Sequence, residues 1–120
     1  MSEKSIQQLG TGACRLCPRG CGIDRDFKAG FCGVSRRLRI ARAAPHFWEE
    51  PCVSGSMGTG AVFFSGCSLK CRFCQNYKIS HGAKGYEVTE RELADIFASL
   101  EDEGCHSISL ITGSHYIPQI

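Results

Sequence analysis

"AVFFSGCSLKCRFCQN", residues 61–76, runs from a short apolar segment straight into a loop that carries three cysteines. A continuous apolar run ending at a glycine is the pattern of a strand buried on both faces of a parallel sheet. Cys67, Cys71 and Cys74 then follow at C-x3-C-x2-C. A closed structural zinc site takes four ligands, and disulfides take cysteines in pairs. Three thiols without a fourth ligand beside them suit a centre with one position left open. Thiolate is the soft donor that iron–sulfur clusters require, and a loop of this length can wrap three corners of a 4Fe–4S cubane. Two other readings compete: a zinc site completed by Cys52 or Cys105, and the buried stripe of a helix made by the i, i+4, i+7 spacing. Gly66, Lys70 and Arg72 favour a solvent-lined loop.

Downstream, the spacing predicts a helix from Thr89 to about Cys105. Thr89 and Glu92 form a capping-box pair, and Val88 and Leu93 stand at the positions of a hydrophobic staple. Leu93, Ile96, Phe97 and Leu100 recur at i, i+3, i+4 and i+7, which makes one apolar stripe. Gly104 is a suitable stop. "SISLIT", residues 107–112, reads as a second buried strand. Strand, loop, helix, strand is a βαβ unit, so the fold class is α/β. Such units bind ligands outside the carboxyl ends of their strands, where the cysteine loop lies. Two strands and one helix cannot bury their own faces, and a (β/α) barrel takes about 250 residues. Residues 60–120 therefore read as the start of a partial barrel, and the chain as the N-terminal part of a longer protein.

Upstream, residues 1–12 read as a polar lead-in. Residues 13–35, "ACRLCPRGCGIDRDFKAGFCGVS", hold four cysteines and four glycines. That composition builds no core, so something other than burial must hold it together. Cys14, Cys17, Cys21 and Cys32 are spaced C-x2-C-x3-C-x10-C, a plausible S4 set for Zn²⁺ or for a second iron–sulfur cluster. Residues 36–59 read as linker or loop, with a weak strand signal in "RRLRIARA". Arg36, Arg37, Arg39 and Arg42 read as a solvated face. In "PHFWEEP", His46 and Glu49 read either as part of a substrate mouth or as a linker whose aromatics dock on the barrel. "SGSMGTG" precedes a strand, so it lacks the helix N-terminus that anion-binding loops use. Cys52 and Cys105 read as single buried thiols.

Composition narrows the class. The 120 residues are 42% hydrophobic and 22% charged, as in a globular chain. A net charge of +2 gives no electrostatic reason to expect nucleic acid as a partner. No run approaches the ~20 apolar residues of a membrane span, and the polar start lacks the apolar core of a secretory signal. Nine cysteines are an odd and large number for a disulfide scaffold. Clustered thiols in a reducing compartment bind metal or do redox chemistry, so a cytoplasmic protein is expected.

The cysteine loop, with Phe73 before its last cysteine, resembles the radical S-adenosylmethionine (SAM) superfamily. "CRLCPRGCGIDR", "PHFWEEPCVSG", "GTGAVFFSGCSLKCRFCQNYKIS" and "SHYIPQI" are similar to the pyruvate formate-lyase activating enzyme-like members. The resemblance implies that Cys67, Cys71 and Cys74 hold a 4Fe–4S cluster whose open iron chelates SAM. One electron would then cleave SAM to methionine and a 5′-deoxyadenosyl radical that abstracts hydrogen. It implies Phe73 against the adenine, ordinary packing under the loop being the other reading. In place of the Gly-Gly-Glu-like segment of many members stands "TGSHY", which offers Thr112, Gly113 and Ser114 for the cofactor, and His115 towards the same mouth, but no acid. An activase would work with a glycyl radical enzyme and a flavodoxin or ferredoxin as electron donor. A metal-binding module without catalysis is the alternative from a different class.

Overall fold

The computed structural model describes residues 12–120; residues 1–11, most of the expected polar lead-in, lie outside the described residues. A sheet of four strands has the order β3-β1-β2-β4, with β1 Arg39–His46, β2 Thr59–Phe64, β3 Tyr86–Glu87 and β4 Ile108–Ile111. β1 pairs antiparallel with β2 and β3, whereas β2 and β4 are parallel, with Gly60 opposite Ile108 and Phe63 opposite Ile111. Short helices occupy Pro51–Ser54 (α1) and Tyr77–Ser80 (α2), and the long helix is α3, Glu90–Asp102. A 3-10 helix, Ser114–Gln119, follows β4.

β2, α3 and β4 form the expected βαβ unit. Thr89 accepts from the Glu92 N–H over 3.2 Å while the Glu92 carboxylate accepts from the Thr89 N–H over 2.7 Å, closing the capping box. At the other end, Gly104 takes a φ of +99°. Its N–H donates to Glu101 and that of Cys105 to Leu100, the paired bonds of a Schellman stop, with Leu100 and Cys105 buried against each other's turn. Leu93 and Leu100 bury the helix stripe against Ile40, Val62 and Phe64, and Ile96, Phe97 and Val88 flank them.

Three expectations are corrected. The stretch 36–59 is not only linker, since Arg39–His46 is an eight-residue strand at the centre of the sheet. Its alternation is broken by a bulge between Ile40 and Arg42. Ile40 lies opposite Phe64 on the helix side, and one extra residue returns Ala43 to that side opposite Val62, so the apolar positions fall three apart. β4 is not fully buried: it is an edge strand among the described residues, and Leu110 is 40% exposed. Cys105 is buried as expected, but Cys52, on α1, is exposed.

Among the described residues, no element covers the face of the sheet away from α3. Arg42, Ala44 and His46 of β1 stand there beside Ala61, Phe63 and Ile111, along a cavity of about 550 Å³. Of the aromatics of "PHFWEEP", Trp48 lines the rim of this cavity while 90% exposed, and Phe47 is 55% exposed. His46 pairs with Glu49 at 3.7 Å. Of the four arginines read as a solvated face, Arg36 faces Asp26 at 3.1 Å, and Arg37 and Arg39 flank Glu87 at 3.5 and 3.2 Å. Among the described residues Arg42 alone of the four has no carboxylate partner.

A candidate three-cysteine site at the end of the second strand

The cysteine loop leaves the carboxyl end of β2 through Gly66, whose φ is +78°. A Cβ there would come within 2.5 Å of the Cys32 carbonyl and 3.1 Å of the Val34 methyls, so only glycine fits. The loop is then braced on three sides. Cys67 N–H donates to the Cys32 carbonyl at 3.1 Å, and Gly66 N–H donates to that of Ile79 at 3.0 Å. Arg19 donates from Nε to the Ser68 carbonyl at 2.8 Å and from Nη2 to the Leu69 carbonyl at 3.0 Å. His81 Nε2 meets the Lys70 carbonyl at 3.2 Å. A carbonyl only accepts, so Nε2 is the donor there, and Nδ1 shares a hydrogen bond with the Ser80 hydroxyl at 2.9 Å.

Beyond Lys70 the loop is less tied. Cys74 N–H closes a turn on the Cys71 carbonyl at 3.2 Å. All three thiols are half-buried, and no helix spans them, so the buried-helical-stripe reading is set aside. Phe73 is 91% exposed, which excludes ordinary packing under the loop. Leu69 N–H donates to Cys67 Sγ over 3.4 Å, which fixes the first thiol against the loop backbone.

Among the described residues, no three Cys, His, Asp or Glu side chains converge closely enough to hold a metal ion. The structure therefore places the three thiols on one loop but does not gather them. The donor chemistry still fits an iron–sulfur cluster: thiols only, half-exposed, on a loop anchored at its first cysteine and open at the other two. Cys67 and Cys74 line a small cavity with Phe63, Phe64, Asn76, Ile111 and Thr112, at the carboxyl ends of the parallel pair β2 and β4.

Of the residues expected around a cofactor, Thr112 lines that cavity and Ser114 Oγ lies 3.4 Å from Ser68 Oγ on the cysteine loop. Gly113 is packed beneath, where a Cβ would meet Ile120 at 2.6 Å. His115 does not face the mouth. It is 1% exposed, and its Nε2 donates to the Ser65 carbonyl at 2.8 Å, under the root of the loop. Burial holds its pKa down at about 4, nearby Arg25 also lowers it, and the Ser65 bond only partly opposes this. Burial likewise pushes the Tyr116 hydroxyl up to about 12.

In the N-terminal segment, Cys14 N–H donates to Ile23 and Gly22 N–H to Cys14, each at 3.0 Å, so the chain doubles back around Cys17 and Cys21. Cys14 and Cys32 are buried, while Cys17 and Cys21 are half-buried. The Cys21 thiol is pulled below its ordinary pKa by the backbone at Phe31 and then at Ile23, which favours the metal-binding thiolate. Cys32 Sγ instead lies 3.6 Å from the Val34 carbonyl.

Three residues that hold the site together carried no motif. Arg19 and His81 brace the loop. Arg25, 2% exposed, donates to the carbonyls of Val34, Ser35 and His115 at 3.3, 2.7 and 2.7 Å. For Arg19 and Arg25 the one sequence signal is composition: arginines in a segment without strands can satisfy loop carbonyls with up to five donors each.

The chain is similar to an uncharacterized protein of Methanocaldococcus jannaschii, MJ0674, with 34% identity over 67 residues. The match covers 56% of this chain and 19% of that protein, so the chain spans about a fifth of the relative's length. No solved structure matches. Residues 61–118, which contain β2, the cysteine loop, α3 and β4, match the Radical SAM superfamily.

Proposed function

We propose that this chain is the cluster-bearing part of a radical SAM enzyme. The observation that carries the reading is the position of the three thiols: one loop, at the carboxyl end of β2 beside its parallel neighbour β4, inside the segment that matches the superfamily. Cys67, Cys71 and Cys74 would hold a 4Fe–4S cluster, which supplies the electron for reductive cleavage of SAM. The chain's own contribution is placement. Gly66 and Cys67 fix where the loop leaves the strand, while Thr112 and Ser114 present hydroxyls beside it. The exposed ring of Phe73 is available to lie against the adenine. Burial keeps His115 neutral near pH 7, so it adds no charge under the site.

Cys14, Cys17, Cys21 and Cys32 would hold a second metal centre, Zn²⁺ or another iron–sulfur cluster. The finer reading, an activase that abstracts hydrogen from a glycyl radical enzyme with a flavodoxin or ferredoxin as donor, rests on the four similar sequence segments. Metal counts test the reading. After anaerobic reconstitution with iron and sulfide, Cys67, Cys71 and Cys74 replaced together by alanine should remove about four irons and four sulfides. Replacing the N-terminal four should remove zinc or the remaining iron. A triple variant that keeps the parent's full iron content would contradict the assignment. Zinc in the parent without iron would favour a metal-binding module without catalysis.

A further inference from the structure

The N-terminal cysteine-rich segment touches the three-cysteine loop along most of the loop's first half. Arg19 holds two successive carbonyls, Ser68 and Leu69, with one guanidinium. That guanidinium also stacks over the Phe31 ring at 4.1 Å, and Lys70 Nζ of the loop lies over the same ring at 5.4 Å. Cys32, proposed as the last ligand of the N-terminal centre, gives its carbonyl to the N–H of Cys67, the first ligand of the loop. Gly66 lies so close to this carbonyl that no other residue fits.

The two Arg19 bonds join residues 49 and 50 apart in the chain, and the Cys32–Cys67 and Phe31–Lys70 contacts bridge the same two segments. Their common effect is geometric. Arg19 in its observed pose restrains the peptide planes at Ser68 and Leu69, because a planar guanidinium donates in fixed directions where an ammonium does not. The pinned span lies between Cys67 and Cys71, so it decides how far the second thiol can swing relative to the first. His81 pins the next carbonyl, Lys70, from the opposite side of the sequence.

We infer that the N-terminal cysteine-rich segment is a clamp on the three-cysteine loop, with Arg19 as its positioning residue. Arg19 sets the spacing of the thiols without touching the reacting atoms. The clamp itself is a property of the metal-free chain; its meaning for a cluster rests on the function proposed above.

Hydrogen exchange of the metal-free chain, read by mass spectrometry, tests the clamp. In Arg19→Ala, peptides covering residues 66–70 should exchange roughly tenfold faster or more, as local opening becomes easier, while peptides of β2 and α3 keep the parent's protection. Arg19→Lys should not restore the loop, since it lacks the fork. If Arg19→Ala also loses protection in β2 and α3, Arg19→Lys decides: a protected core with a fast loop supports the clamp, and a slow loop overturns it. Parent-like exchange at 66–70 in both variants also overturns it. The positioning role has its own readout. In protein reconstituted with iron and sulfide, Arg19→Ala should keep the parent's iron count but alter the electron paramagnetic resonance of the reduced cluster. An unaltered signal from a variant with a loosened loop would overturn positioning. A parent that takes up no cluster would sink the proposed function and leave the exchange result to judge the clamp alone.

Discussion

The guanidinium of Arg25 donates to the carbonyl of His115 over 2.7 Å and across 90 residues of sequence. It ties the N-terminal segment to the turn that follows β4, and its Cζ stands 5.5 Å from the Tyr116 ring centroid. With the bonds to Val34 and Ser35, three loop carbonyls depend on one buried side chain. The described residues place no carboxylate beside it, so these hydrogen bonds and the Tyr116 ring face compensate its desolvation.

Arg25→Met should therefore destabilise the chain by about 3 kcal/mol or more, because buried acceptors lose charge-assisted donors. Urea titration followed by circular dichroism would measure it. A midpoint equal to the parent's would show that these carbonyls find other donors.

His115 makes a pH dependence. Its folded pKa of about 4 lies below the ordinary 6.5, so the unfolded chain takes up the proton first as pH falls. Stability from this group is fully present above about pH 6.5 and declines towards pH 4. The gap corresponds to about 3 kcal/mol. Unfolding free energies of the parent and of His115→Asn, measured from pH 7.5 to 4.5, should converge as pH falls. Parallel curves would mean that His115 is not held neutral by the fold.

Gly66→Ala places a methyl against the Cys32 carbonyl at a φ of +78°. Backbone strain at such positions costs about 1–3 kcal/mol, and here it falls between the clamp and the loop. The expected result is a lower urea midpoint together with faster exchange at 66–70. A stability within experimental error of the parent's would show that the two segments separate freely.

Thr89→Ala removes the hydroxyl half of the capping box on α3 and should cost about 1 kcal/mol. Thr89→Ser should recover most of it. Because the Thr89 hydroxyl bonds to Glu92 of α3 and not to the cysteine loop, metal uptake should not change. Equal stability of the alanine and serine variants would contradict the cap.

What could be read from the sequence were the features whose signals are local. The capping box, the stripe from Leu93 to Leu100 and the Gly104 stop each lie within one helix length, and α3 formed as they indicated. Cys67, Cys71 and Cys74 were visible because their spacing is itself the signal. β1 was nearly lost because its bulge puts Ile40 and Ala43 three apart on one face, which cancels the two-residue period. Arg19, Arg25 and His81 were invisible for a different reason. Their partners are backbone carbonyls, which every residue has, and two of the three reach about 50 residues or more along the chain. Cys52 was misjudged because it stands on a four-residue helix with no stripe to say which side is buried.

The most direct measurement of the central claim is electron paramagnetic resonance of the chain after anaerobic reconstitution and reduction, with and without SAM. The account predicts a reduced 4Fe–4S signal that changes on adding SAM and is lost when Cys67, Cys71 and Cys74 are replaced by alanine. A cluster signal indifferent to SAM, or one that survives the loss of those three thiols, would contradict it.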